Sequence, residues 1–364
     1  MTVSGTWHRF VFHEYKTTRR SLSVYRLLVA IFFITLYVPR YLWISEFPDS
    51  FFNPPPGLTS FLFTGFPPHA FFVSLNVILI TAIVYLLAGR RVTMATLVLV
   101  AGLLIGNSWA YSFGKIDHDI LIVIAPLFLL AAGWDGAGPV RAWPLALLAT
   151  AIAVAMFTAA LQKAMTGWLD PTTSAILGHS LRNAIFEDRE SVVWRLSVER
   201  LPFAAWKAMD YATLVFESSF LFAMFKRRAF VVACAVACLF HFGVTLVMKI
   251  VFLTNIATCA AFVRWDSVAA RVHVDGALER AQQWLTRRSD VQLLAAASVL
   301  SLITIAWGNP VRLALSALVP RAYSLLPLIL TSIAAVGAAV FILSQGVRRS
   351  ISRRRPGVGA SHSV

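Results

Sequence analysis

Residues 70–109 read AFFVSLNVILITAIVYLLA, then GRR, then VTMATLVLVAGLLIGNSW. Two uncharged apolar runs, Ala70–Ala88 and Val92–Trp109, are separated only by Gly89-Arg90-Arg91. As a helix, each run is long enough to cross ~30 Å of hydrocarbon. Only a helix or a closed barrel satisfies its own backbone there. A basic turn between two such runs belongs on the cytoplasmic face.

The rest of the 364-residue chain repeats this pattern. It is 58% hydrophobic and 13% charged, with a mean hydropathy of +0.73, too little polar surface for a soluble domain of this length. Ten apolar runs are predicted to be spans: Ser21–Tyr37, Ala70–Ala88, Val92–Trp109, Asp119–Ala132, Trp143–Leu161, Ala205–Phe225, Ala229–Met248, Ile250–Val263, Val291–Trp307 and Tyr323–Ser344. The fourth and eighth are short. The expected fold class is an all-α, polytopic transmembrane helical bundle.

Charge orients the set. With the N-terminus inside and sides alternating, 20 of the 32 Lys and Arg residues fall inside, 11 outside, and Arg26 lies within the first run. The net charge of +15 is therefore topological, and both termini are expected in the cytoplasm of a plasma (inner) membrane. It also suits anionic lipid headgroups; nucleic acid is not an expected partner, and no protein partner can be named. Met1–Arg20 is polar and basic, unlike a cleavable signal. The expected organisation is a basic segment 1–20, a membrane domain 21–263, an amphipathic surface segment 264–290, two further spans within 291–344 and a basic tail 345–364.

Two outer segments stand out. Ser45–His69 is rich in proline and aromatic residues, and Lys163–Phe203 ends in a charged stretch from Glu187 to Arg200. The apolar spacing of Ile185, Phe186, Val193, Trp194 and Leu201 suits an interfacial amphipathic helix. Cys234, Cys238 and Cys259 lie in apolar runs, where cysteine acts as a small buried hydrophobe. No metal is predicted.

Ionisable groups inside spans are costly and point to function. Long side chains near span ends snorkel, which accounts for Arg26, Arg40 and Lys207. Glu217 lies mid-run and is too short to do so. His241 and Lys249 lie toward the outer end of one run, Asp117-His118 just precedes another, and Lys163, followed by Trp168, closes a third. His118, Lys163, Glu217 and His241 are expected to line one pocket in the outer half of the bundle. A lysine held in apolar surroundings yields a free amine more readily and can act as a base; a histidine can relay the proton.

These positions also carry a family resemblance, covering roughly residues 19–265. Val24-Tyr25-Arg26-Leu27-Leu28, Asp117-His118, Phe157-Thr158-Ala159-Ala160-Leu161-Gln162-Lys163 with Trp168, Glu217 ahead of Phe220-Leu221-Phe222, and Phe240-His241-Phe242 resemble, in that order, segments of the vitamin K-dependent γ-carboxylase-like membrane domain, the horizontally transferred transmembrane (HTTM) domain. The resemblance implies a lyase- or oxidoreductase-like enzyme using a reduced quinone of the vitamin K kind. Lys163 would be the base that starts quinol oxygenation and His118 its assistant, with Asp117, Trp168, Glu217, His241 and Lys249 about the pocket. Gln162 stands where the family has a second lysine, and Asp117 where it has asparagine. Residues beyond 265 offer an amphipathic segment, two spans and a tail in place of a soluble lumenal region, so peptide carboxylation is not expected. The other reading is non-catalytic: a lipid- or quinone-binding subunit, or an anchor for a partner.

Overall fold

A computed structural model describes residues 3–38, 41–114, 119–186, 193–308 and 322–354. Every regular element among them is helical. In chain order the helices are α1 (Val3–Arg9), α2 (Arg19–Phe32), α3 (Leu58–Leu62), α4 (His69–Ala88), α5 (Val92–Ala110), α6 (Asp119–Ala132), α7 (Trp143–Lys163) and α8 (Ala175–Phe186). There follow α9 (Trp194–Arg200), α10 (Phe203–Ala223), α11 (Arg227–Met248), α12 (Leu253–Cys259), α13 (Trp265–Arg271), α14 (Asp275–Thr286), α15 (Asp290–Trp307) and α16 (Ala322–Arg354).

Five helical segments are long and apolar enough to cross a membrane: Arg19–Glu46, His69–Ala88, Val92–Phe113, Trp143–Trp168 and Arg227–Met248. A sixth is reached if the bent pair Gly276–Thr286 and Asp290–Ala306 forms one span. The chain is thus a bundle of apolar helices compatible with a membrane. The other predicted runs are helical but shorter or more polar. Leu253–Phe262 spans only ~15 Å at 1.5 Å per residue, half a bilayer, because residues 250–252 are not helical. α10 is long enough but carries Lys207, Asp210 and Glu217.

α4 and α5 pack as an antiparallel pair, and α15 lies against α4. Phe72, Leu79, Ile80 and Ile83 fill the interior. Small residues bring backbones close, as in other membrane bundles: a side chain at Gly102 would meet Leu79, and one at Gly106 the Tyr41 ring. Several buried polar groups are paired, with Asn76 Nδ2 donating to Thr304 Oγ1 at 3.0 Å and Tyr41 Oη to Asn107 Oδ1 at 2.8 Å.

The segments that charge alternation places on one side meet at one end. Arg19 donates to the Gly138 carbonyl, Thr18 to Asp266, Gln282 to Ser23 and the Arg227 amide to Glu14. Asp290 holds Arg90 at 3.1 Å and Arg91 at 2.6 Å. The expected amphipathic segment is α13 and α14; α14 meets α15 at 101°. Arg26, read from sequence as a snorkelling residue, is instead buried and donates through Nη1 to the Trp134 carbonyl at 3.0 Å. Its guanidinium lies where helix ends leave carbonyls free, so a partner inside the protein replaces water. Arg40 lies outside the described residues. At the opposite end Phe113 gathers Trp43, Phe47 and Phe66, with centroids 4.8, 4.8 and 5.3 Å away.

The α4–α5 turn depends on Gly89, whose φ of +66° is left-handed and whose missing Cβ leaves room for the Arg26 guanidinium. Gly89→Ala adds strain and crowds Nη2, and is expected to cost about 1–2 kcal/mol. A fall in the melting temperature of the detergent-solubilised protein checks this; an unchanged value would show that the turn tolerates a side chain.

Candidate functional site

α7 ends at Lys163, and a kinked turn, Ala164–Trp168, follows directly, with Thr166 and Gly167 in non-helical conformations. Gly167, at φ 90°, reverses the chain and brings the Trp168 ring over the lysine, with Nζ 5.4 Å from its centroid. α10 packs along α7. Its buried residues include Trp206, Lys207, Asp210, Thr213, Glu217 and Phe220, a stripe at the i, i+3, i+7 spacing of one helix face. From that stripe Glu217 meets Lys163, whose Nζ donates to Oε1 at 2.5 Å and Oε2 at 2.6 Å. The Glu217 side chain is 6% exposed and that of Lys163 25%. The carboxylate is enclosed and the lysine side chain is partly exposed.

A second buried pair lies about two to three helical turns away on the same face. Lys207 Nζ donates to the Trp168 carbonyl at 2.6 Å and to Asp210 Oδ2 at 3.3 Å. Lys207 therefore does not snorkel; the turn after Lys163 leaves a free carbonyl at the depth its side chain reaches. Asp210, fully buried, accepts the amides of Ala175 and Ile176, each at 3.0 Å. These open α8, so the carboxylate satisfies free amides at a helix N-terminus and complements its dipole. At the far end of α8, Asn183 donates to the Met248 carbonyl at 2.9 Å. The loop after Lys163 is thereby fastened to α10 and α11. Within it, the Thr172 hydroxyl and amide hold the Asp170 carboxyl below the usual carboxylate range.

Asp210 was missed by the sequence reading, although the spacing 207, 210, 217 on one helix face signalled it. The reading expected one pocket for four residues. Lys163, Glu217 and Trp168 do come together. His241 instead stacks on Phe252 at 4.7 Å and lines a separate cavity with Phe220, Asn255 and Thr258. That cavity is about 10 Å³, room for about one water. The two places differ because His241 faces α12 while Glu217 faces α7. Lys249 is exposed at the C-terminus of α11, with a left-handed φ of 54°. Asp117 and His118 lie outside the described residues. Asp119, next in sequence, accepts from Thr254 at 2.5 Å and so ties α6 to α12. Cys234, Cys238 and Cys259 are free thiols in the α11–α12 region, and the first and last are buried. Among the described residues no three His, Cys, Asp or Glu side chains come together as metal ligands.

The ion pair should be more costly to halve than to delete. Lys163→Met leaves an enclosed carboxylate without its cation and is expected to cost about 2–4 kcal/mol, the buried-pair value discounted for the partly exposed lysine. Lys163→Met with Glu217→Leu should recover most of that loss. Thermal unfolding of the four proteins checks it; additive single effects would mean that the pair contributes no coupling.

No family model matches the chain, and neither a curated protein nor a solved structure matches it. The site is therefore described from its own geometry.

Proposed function

We propose that this chain is a multi-pass membrane protein of the γ-carboxylase-like, HTTM kind, in which the Lys163–Glu217 pair takes a proton from a lipophilic acid such as a reduced quinone. The observation that carries this reading is the pair itself: an enclosed carboxylate bound to the ammonium of a quarter-exposed lysine side chain, under an indole. The approach is apolar, because Met165 and Leu169 are exposed beside it. A quinol arriving from the bilayer meets a lysine that can hold an oxyanion and an indole on which a ring can stack.

The pairing changes the division of labour expected from the sequence. A lysine already bound to a carboxylate is better suited to stabilise charge and pass a proton on than to keep the proton it accepts. In the proposed step the quinol O–H bond breaks, Lys163 Nζ takes that proton as it passes one of its own to the enclosed Glu217 carboxylate, and the phenolate stays beside the Lys163 ammonium. One ion pair is exchanged for another, so no isolated charge is created in a low-dielectric region. Dioxygen from solution would be the oxidant of the resulting phenolate, as the family resemblance implies. His118 keeps the assisting role that the resemblance gives it.

The test is oxygen-dependent consumption of a reduced naphthoquinone by purified protein. Glu217→Gln and Lys163→Ala are each expected to lower turnover by about 10²-fold or more, the usual scale for a proton-transfer group. Equal turnover in wild type and Glu217→Gln would overturn the assignment. Quinone binding without any turnover would favour the non-catalytic reading, a quinone- or lipid-binding subunit or anchor. Incorporation of carbon dioxide into a Glu peptide is not expected.

The same proposal includes ten crossings, the eighth made by the non-helical residues 250–252 together with the short α12, with both termini in the cytoplasm of a plasma (inner) membrane. It is supported by the distribution of basic residues and by the convergence of segments 3–20, 89–91, 133–141, 224–228 and 264–290 at one end. In a cysteine-free background, Arg141→Cys and Arg353→Cys should resist an impermeant thiol reagent applied from outside, and Thr172→Cys should react. The opposite pattern would invert the topology.

A further inference from the structure

We infer that the elbow between α14 and α15 binds the phosphate group of an anionic phospholipid. α14 is fastened across one end of the bundle. Gln282 bonds Ser23 at 2.6 Å, Thr286 bonds the Ala88 carbonyl at 3.1 Å, and Leu285 packs on the core. Because α15 leaves it at 101°, α14 lies nearly flat on the membrane surface wherever α15 enters the bilayer.

On the outer side of this elbow Arg280, Gln283, Trp284, Arg287 and Arg288 surround an open concavity of about 400 Å³. Trp284 is 58% exposed, and the Arg288 guanidinium stacks on it 3.9 Å from the ring centroid. An exposed tryptophan flanked by arginines is suited to the headgroup level. The stacking also orders one guanidinium before any ligand arrives, so less side-chain freedom is lost on binding.

Two nearby acids are otherwise engaged. Asp290 holds Arg90 and Arg91, and Glu279 holds Arg20. Among the described residues no carboxylate pairs with Arg280, Arg287 or Arg288, and the shielded Nε of Arg288 has no hydrogen-bond partner. Arg90 bonds the Arg288 carbonyl, which fixes the elbow's backbone. Three unneutralised guanidiniums with planar, bidentate donors match a phosphate. The neighbouring side of α15 exposes Val291 and Leu294, apolar surface alongside which acyl chains can lie. That juxtaposition selects a phospholipid over a soluble phosphate.

The full chain, delipidated in a neutral detergent, is titrated with dioleoyl phosphatidylglycerol or dioleoyl phosphatidylcholine, and bound lipid is counted by native mass spectrometry. Phosphatidylglycerol should be retained preferentially. Arg287→Gln with Arg288→Gln should weaken that retention about tenfold or more, as the loss of two surface cations implies. Arg280→Gln, on the exposed face of α14, should lower it in the same direction, and Arg287→Lys with Arg288→Lys should retain part of it. Equal retention of both lipids, or unchanged retention in the Gln variants, would overturn the proposal. Displacement of phosphatidylglycerol by inorganic phosphate at comparable concentration would also overturn it, by showing a soluble-phosphate site.

Discussion

Inside an apolar bundle a polar group has no water to fall back on, and its partner has to come from the protein. That constraint explains why every regular element among the described residues is a helix, since a helix pairs its own amides and carbonyls. It also explains where the buried charges lie. Arg26 takes the Trp134 carbonyl, Lys163 takes Glu217, Lys207 takes the Trp168 carbonyl and Asp210, and Asp210 takes the first amides of α8. In each case a side chain reaches a helix end or a turn, where backbone groups or charges remain to be satisfied. The register of α10 against α7 follows from the same requirement, because only one face of α10 carries the partners.

The two ends of the bundle are built differently as a result. At one end the basic turns and α14 are linked by ion pairs and side-chain bonds, with Asp290 holding two arginines. At the other end aromatic residues gather around Phe113, and the chain breaks into short turns after Lys163. The first arrangement concentrates positive charge at a surface. The second creates a partly open site whose walls are apolar and whose floor carries one compensated charge pair.

The site is held from several directions. Gly167 turns Trp168 back over Lys163, Lys207 holds the Trp168 carbonyl, and Asp210 holds α8 above both. The lysine that could meet a ligand is thus positioned by the turn that follows it, by α8 and by the more distant α10. Such support fixes a charged group without filling the space beside it, which a binding or catalytic site requires.

The sequence by itself determined the helical class, the apolar runs, the amphipathic character of residues 264–290 and the grouping of the basic turns, because run length, periodicity and charge are local properties. It also singled out Glu217, whose short side chain cannot reach water from mid-helix. Only the tertiary structure decided which polar residues meet. Arg26 and Lys207 turn inward rather than snorkel, since free carbonyls lie within their reach. His241 and Glu217 occupy neighbouring helices but face different partners, so one expected pocket becomes an ion pair and a separate water-sized cavity. Lys249 stays at an exposed helix end, and Ile250–Val263 yields too short a helix to cross alone. The direction a long side chain takes, and the face a helix presents, depend on packing partners far away in the chain, and no local pattern encodes them.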